Sequence, residues 1–178
     1  MKQPFKGFTL WFTGLPSSGK SALADAVFRE LGKYGLPVER LDGDIFRKNF
    51  SWDLGFSAED IKKNISRAVF ISKLLTKNGV AVLASFVSPF QESRTLAREE
   101  IGNFIEVYTK CPLEECIKRD PKGNYKKALA GEIPNFIGIA MPYETPLNPE
   151  IIIETDKESI EQSCQKIIKY LKELGYLN

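Results

Sequence analysis

Histidine is missing altogether from the 178 residues. That excludes a histidine-dependent hydrolase triad, most zinc sites and any imidazole general base. Proton chemistry here must fall to a carboxylate, a lysine or a phosphate of the substrate. Cysteine is scarce: Cys111, Cys116 and Cys164 are odd in number and form no Cys-x-x-Cys pair. This suits reduced thiols in the cytoplasm, the expected location. Cys111 and Cys116 flank a helix start at Pro112 and read as packing residues. No apolar run reaches membrane-spanning length, and the first residues lack the apolar core of a signal peptide, so no membrane partner is expected. Charge of one sign is lacking too. Twenty-five Lys and Arg against 23 Asp and Glu leave a net +2. With no long basic run, a nucleic-acid polymer is not an expected partner. Repeats, low-complexity blocks and linkers are also absent, and the length suits a single domain over residues 1–178.

What is present is organised around Gly14-Leu15-Pro16-Ser17-Ser18-Gly19-Lys20-Ser21. An apolar, β-prone segment, Phe8 to Phe12, precedes it, and residues 22–31 carry apolar side chains at helical spacing. A strand, a glycine-containing turn ending in Gly-Lys-Ser and a helix are the context of a phosphate-binding loop. Glycines allow the backbone to approach an anion, and successive N–H groups at a helix start point toward it. Lys20 would reach the outer phosphates of ATP, and the Ser21 hydroxyl would take one position on Mg²⁺.

The remaining chain alternates between strands and helices. Val38 to Leu41 reads as a short strand ending in Asp42-Gly43-Asp44, and a polar segment runs from Phe46 to Asp60. Ser57 is placed to cap a helix that continues to Asn78-Gly79. The apolar run Val80 to Phe86 is that of a strand buried on both faces of a parallel sheet. A charged helix over 91–101, a strand over 103–109, a helix with Pro112 in its first turn, a strand over 151–155 and a closing helix over 160–174 complete the pattern. Residues 119–149 are too long for an ordinary connection and read as a functional loop or lid. This is the order of a parallel α/β sandwich, with its ligand at the carboxyl ends of the strands.

Several side chains at that edge are suited to phosphoryl chemistry. Asp42 and Asp44 end the second strand beside the phosphate loop. They read either as a capped turn or as ligands of a metal or a substrate hydroxyl. No acidic residue follows the apolar strand over 80–86, so Asp44 or Asp42 would have to hold magnesium, through water. Arg47 is a candidate for gripping a phosphate or sulfate, with a solvated surface arginine as the alternative. Phe56 is either core or a stacking surface for a base. Arg119, Lys122, Lys126 and Lys127 form a cationic cluster able to close over phosphates.

Taken together, these motifs resemble the adenylylsulfate kinase family. The likeness runs from about Gly7 to Thr155. It is carried by the phosphate loop, Leu41-Asp42-Gly43-Asp44, Asp53-Leu54-Gly55-Phe56-Ser57, Phe86-Val87-Ser88-Pro89-Phe90 and above all by Arg119 to Ala128 with Gly131-Glu132-Ile133 and Asn135 to Ile139. The resemblance implies a nucleotide-kinase fold with a five-stranded parallel sheet in a three-layer sandwich. It implies transfer of the γ-phosphate of ATP to the 3′-hydroxyl of adenosine 5′-phosphosulfate, in the activation of sulfate. In site residues it implies Asp44 at the ribose hydroxyl and magnesium, and Arg119 on the ATP side. Arg47, Phe56 and Asn64 would sit at the acceptor, and Phe136 would stack on its adenine. Val87, Ser88 and Pro89 would hold it through their backbone. Ser88 matches a serine assigned in some members as a phosphorylated intermediate, a step that direct in-line transfer does not need. A homodimer is expected, and an ATP sulfurylase is a candidate partner.

Three positions depart from the family's pattern. Its usual Asp-Arg is Asp60-Ile61 here, a nearby Arg-Arg is Ser66-Arg67, and the end of the Phe-Thr-Gly-Ile-Asp motif is Ala140. Losing a charge-assisted contact to a bound anion costs about 1.5–3 kcal/mol. Lys62, Lys63 or Arg67 would have to compensate, or else the acceptor is a related nucleotide without the sulfate. A catalytically weak regulatory homologue is a third reading, against which the intact Lys20, Ser21 and Asp44 argue.

Overall fold

Phe8–Thr13 (β1) has every residue buried, so a strand with no solvent face must lie in the middle of the sheet. The computed structural model, which describes residues 5–177, places it there. The chain continues through α1 (Lys20–Gly32), β2 (Val38–Asp42), α2 (Gly43–Phe50), α3 (Ala58–Lys77), β3 (Ala81–Ser85) and α4 (Gln91–Ile101). It then forms β4 (Phe104–Lys110), α5 (Leu113–Arg119), α6 (Asn124–Leu129), β5 (Ile151–Glu154) and α7 (Ile160–Glu173). The five strands pair in parallel in the order β2-β3-β1-β4-β5. The expected sandwich is therefore observed.

Alternation along β1 divides the interior into two layers. Phe8, Leu10 and Phe12 pack with Leu23, Val27 and Leu31 of α1 and Ile167, Ile168 and Leu171 of α7. Trp11 faces the other way, against Ile65, Ala68 and Val69 of α3 and Ala97 of α4. A third, smaller cluster of Cys111, Cys116 and Tyr125, with Phe136 and Ile139 against it, lies beneath residues 119–149. All three cysteines are buried and unpaired, as packing residues should be.

Local signals account for the element ends. Ser57 caps α3, its hydroxyl accepting the Asp60 N–H at 3.1 Å. Ser159 and Gln162 cap α7 reciprocally. Three details differ from the sequence reading. The polar segment from Phe46 to Asp60 opens inside α2, which starts at Gly43, buries only Phe46 and so leaves little helical pattern to read. The segment 119–149 contains α6. Pro112 stands at the N-cap of α5 rather than inside its first turn. Among the described residues no helix is long and apolar enough to cross a membrane.

Parallel pairing brings the turns after β1, β2, β3 and β5 to one edge. That edge opens into the site.

Candidate active site

A cavity of about 1060 Å³ occupies the carboxyl edge of the sheet. A smaller hollow of about 330 Å³ near Gly7, Gly79 and Asn103 lies at the opposite ends of the strands and shares none of its residues. The phosphate loop forms one wall of the larger cavity. Gly14 has φ +153° there, and a Cβ on it would fall 2.4 Å from Thr109 Oγ1 and 2.6 Å from the Thr109 carbonyl. Only glycine lets the loop lie that close to β4. Gly19 and Ser17 also take positive φ, at +96° and +62°, curling the backbone before α1. The first N–H groups of a helix have no partner within it, so those of α1 are left for a ligand at the loop.

Lys20 spans this loop from the helix, its Nζ donating to the carbonyls of Gly14 at 3.0 Å and Leu15 at 2.7 Å. Burial pushes its ammonium down to about 8 from 10.5, the neighbouring acids only partly offsetting the cost. An incoming triphosphate would supply the missing counter-charge. Tyr125 of α6 donates its hydroxyl to the Pro16 carbonyl at 3.0 Å, fastening the lid segment to the phosphate loop. No local pattern around Tyr125 signals this contact.

The two aspartates after β2 have different surroundings. Asp42 Oδ2 accepts the Ser21 hydroxyl at 2.7 Å, and Oδ1 accepts the Asp44 N–H at 3.0 Å as the N-cap of α2. Burial would raise its pKa, but the Ser21 hydroxyl and the N–H groups of Asp44 and Ile45 outweigh that and lower it. Turn cap and site residue are thus the same group. Asp44 instead stands exposed at the cavity and pairs with Lys122 of the lid.

The sequence-nominated residues divide sharply in placement. Pro16, Ser17, Gly19, Lys20, Ser21, Asp42, Asp44, Arg47, Phe56, Asn64, Val87, Ser88, Pro89, Arg119, Lys122 and Phe136 all line the cavity. Gly14, Leu15 and Ser18 form the loop behind it, Ser18 Oγ lying 2.8 Å from Thr109 Oγ1. Arg47 donates to the carbonyl of Gly55 at 2.7 Å, and its guanidinium lies 4.5 Å from the centre of the Phe56 ring. Asn64 is buried, and its Oδ1 has no partner. Arg119 donates to Thr155 Oγ1 at 3.1 Å and to the Thr155 carbonyl at 2.8 Å, tying α5 to the end of β5. Phe136 meets Tyr125 edge to face, ring centres 5.0 Å apart.

Arg67, Lys126 and Lys127 are not among the lining residues. Arg67 grips Asp53 through both guanidinium nitrogens, at 2.6 and 2.7 Å, and its hydrogen bonds lower the Asp53 carboxyl to about 2. The charges offered in place of an arginine at 61 are committed elsewhere: Lys62 to Glu92, Lys63 to Glu59, Arg67 to Asp53. Ile61 itself lines the cavity as an apolar wall. Ser66 and Ala140 are exposed and lie outside it.

The Ser88 hydroxyl is enclosed. The residue is 1% exposed. Its Oγ accepts from Trp11 Nε1 at 3.0 Å and donates to Thr13 Oγ1 at 3.0 Å. Its hydroxyl is thus spent within the protein.

The family model of adenylylsulphate kinase matches residues 6–154 of this chain. The chain belongs to the adenylylsulfate kinase family. Among its relatives, the adenylyl-sulfate kinase of Halothermothrix orenii is 54% identical over 173 residues, covering 97% of this chain and 94% of the relative. The APS kinase CysC of Mycobacterium tuberculosis, solved with AMPPNP and APS, is 42% identical and superposes with a TM-score of 0.92. The match covers 95% of this chain and 99% of that one. A gluconokinase of Sinorhizobium meliloti, 14% identical with a TM-score of 0.63 over 97% of this chain and 95% of its own, shares the fold alone.

Proposed function

We infer residue roles for this family's reaction from the way the cavity is divided. The chain is an ATP-dependent kinase that phosphorylates the 3′-hydroxyl of adenosine 5′-phosphosulfate, giving 3′-phosphoadenylylsulfate. ATP lies with its phosphates in the loop at 14–21, between Lys20 and the first N–H groups of α1. Its nucleoside points toward Arg119 and Thr155. The acceptor occupies the other half, between Phe56 and Phe136, with Arg47, Asn64 and the backbone of 87–89 around it. The observation that carries this division is the position of Asp44. Of the two aspartates after β2, it is the one whose oxygens are not spent on Ser21 or a helix cap, its partner being the exposed Lys122 of the lid.

In this reading Asp44 aligns the attacking hydroxyl and takes its proton. Lys20 and the loop N–H groups stabilise the charge on the phosphoryl group in flight, the main requirement of phosphoryl transfer. Lys122 closes from the lid and excludes water. Ser88 contributes structure and no covalent step. The donor set fits a magnesium ion that takes most of its ligands from phosphate and water. One hydroxyl and the adjoining carboxylates are available, and no cluster of three or more acidic, histidine or cysteine side chains exists among the described residues. Ser21 and Asp44, with Asp42 behind Ser21, would hold it, and it would neutralise phosphate charge when bound. Self-association as a homodimer belongs to the same reading, supported by the exposed apolar side chains Phe50, Trp52 and Phe70 within the span of α2 and α3.

A coupled assay tests the acceptor. With ATP and Mg²⁺, adenylylsulfate should saturate the enzyme in roughly the micromolar range, ahead of AMP and other nucleotides lacking the sulfate. Faster turnover of such a nucleotide would overturn the assignment and connect the apolar wall at Ile61 to a different acceptor.

A further inference from the structure

The turn after β3 is fixed from three sides. Ser88 has φ +39°, a left-handed conformation that residues with a Cβ rarely adopt. Three successive carbonyls each have their own donor. Thr13 Oγ1 reaches Val87 O at 2.8 Å, Arg94 Nη1 reaches Ser88 O at 2.6 Å, and the Glu144 N–H reaches Pro89 O at 2.9 Å. Those donors belong to β1, to α4 and to the far stem of the lid segment.

Arg94 links α4 to both the turn and the lid stem. Its Nη2 also donates to the Glu144 carbonyl at 2.6 Å and to Gln91 Oε1 at 2.9 Å. The residue is 1% exposed, and its charge is met by Glu106, itself 2% exposed. Their Nε and Oε1 lie 3.0 Å apart, in ion-pair contact without hydrogen-bond alignment. The ring of Tyr143 lies 5.5 Å from the guanidinium carbon, and its hydroxyl sits 2.9 Å from Thr13 Oγ1. Thr13 already donates to Val87, so Tyr143 donates to Thr13.

A buried ion pair is weak evidence for stability, since well-packed apolar residues serve as well or better. This one has a geometric consequence that an apolar pair would not have. The planar fork of Arg94 sets the separation between the Ser88 and Glu144 carbonyls. We propose that Arg94, held by Glu106 and backed by Tyr143, is a positioning residue for the acceptor, clamping the 87–89 turn to the lid stem so that both present one fixed surface to that nucleotide. The proposal rests on the reading that residues 87–89 face the acceptor. Arg94 touches no substrate and acts through Ser88 and Glu144.

Arg94→Lys keeps a charge opposite Glu106 but loses the fork. Rates at saturating ATP with adenylylsulfate varied should show acceptor KM raised about tenfold with kcat nearly unchanged. The ATP dissociation constant, titrated by intrinsic fluorescence, should not move. Tyr143→Phe removes only a hydroxyl and tests the same clamp should the lysine variant not fold. Its acceptor KM should rise about threefold, again without a change in ATP binding. Unchanged acceptor KM, or KM and ATP dissociation constant rising together, overturns the clamp. Pro89→Gly separates the two readings. If it leaves acceptor KM unchanged, the turn does not face the acceptor and the clamp falls with that reading. If it raises KM while Arg94→Lys and Tyr143→Phe do not, the clamp alone is wrong.

Discussion

Asp44→Ala should lower kcat by about three orders of magnitude while ATP binds as before. Asp42 cannot take over the role. One of its oxygens holds the Ser21 hydroxyl and the other caps α2. A positioned acid or base contributes roughly 10²–10⁴ in rate. The other lining carboxylate, Glu158, is held by the Glu154 N–H and Lys166. The fold should barely notice the change, because the Asp44–Lys122 pair is exposed on both sides and exposed pairs stabilise little. Single-turnover transfer, measured beside equilibrium ATP binding, separates the two effects. Undiminished turnover would show that the hydroxyl is aligned by another group.

Lys20→Met carries the second large effect, a fall in kcat of about 10²–10³, the usual loss when one donor to a developing anion is removed. It also changes the response to pH, and the sign follows from burial. In the free enzyme burial holds the Lys20 ammonium at about 8, well below the 10.5 of the unfolded chain. Below pH 8 both states are protonated, and the fold bears the full cost of the buried charge. Between pH 8 and 10.5 the unfolded chain holds the extra proton, so this group's contribution to stability improves as pH rises. Bound triphosphate restores the charge. ATP binding to the native enzyme should therefore take up a proton above pH 8 and weaken as pH rises further. Calorimetry in buffers of different ionisation enthalpy would register that uptake, and it should vanish in Lys20→Met. Equal proton uptake in both proteins would place the titrating group elsewhere.

Much of the frame was legible because its signals are local. A strand buried on both faces has to be apolar throughout, so β1 and β3 stood out. The phosphate loop requires glycine where Thr109 crowds the backbone, and a serine cap announces α3. What escaped the sequence depends on partners far along the chain. Helix α2 buries a single side chain and has no stripe to read. Arg67 and Arg94 are alike as letters, yet one grips Asp53 at the surface and the other is sealed beside Glu106. Nothing in the sequence near Ser88 reveals that the indole of Trp11, 77 positions away, takes its oxygen. Nor does the segment 119–149 disclose that Tyr125 reaches the carbonyl of Pro16. The phosphate loop was thus readable in order and the residues proposed for the acceptor through the family resemblance, whereas the contacts that hold Ser88, Arg67 and Arg94 emerged only from packing.

The division of the cavity implies one displacement at phosphorus, from ATP directly to the sugar hydroxyl, with no phosphorylated Ser88 between. Stereochemistry tests this most directly. With ATP made chiral at the γ-phosphorus by oxygen isotopes, the 3′-phosphate of the product should show inverted configuration. Retention would mean two displacements through a phosphorylated enzyme, and would contradict the account.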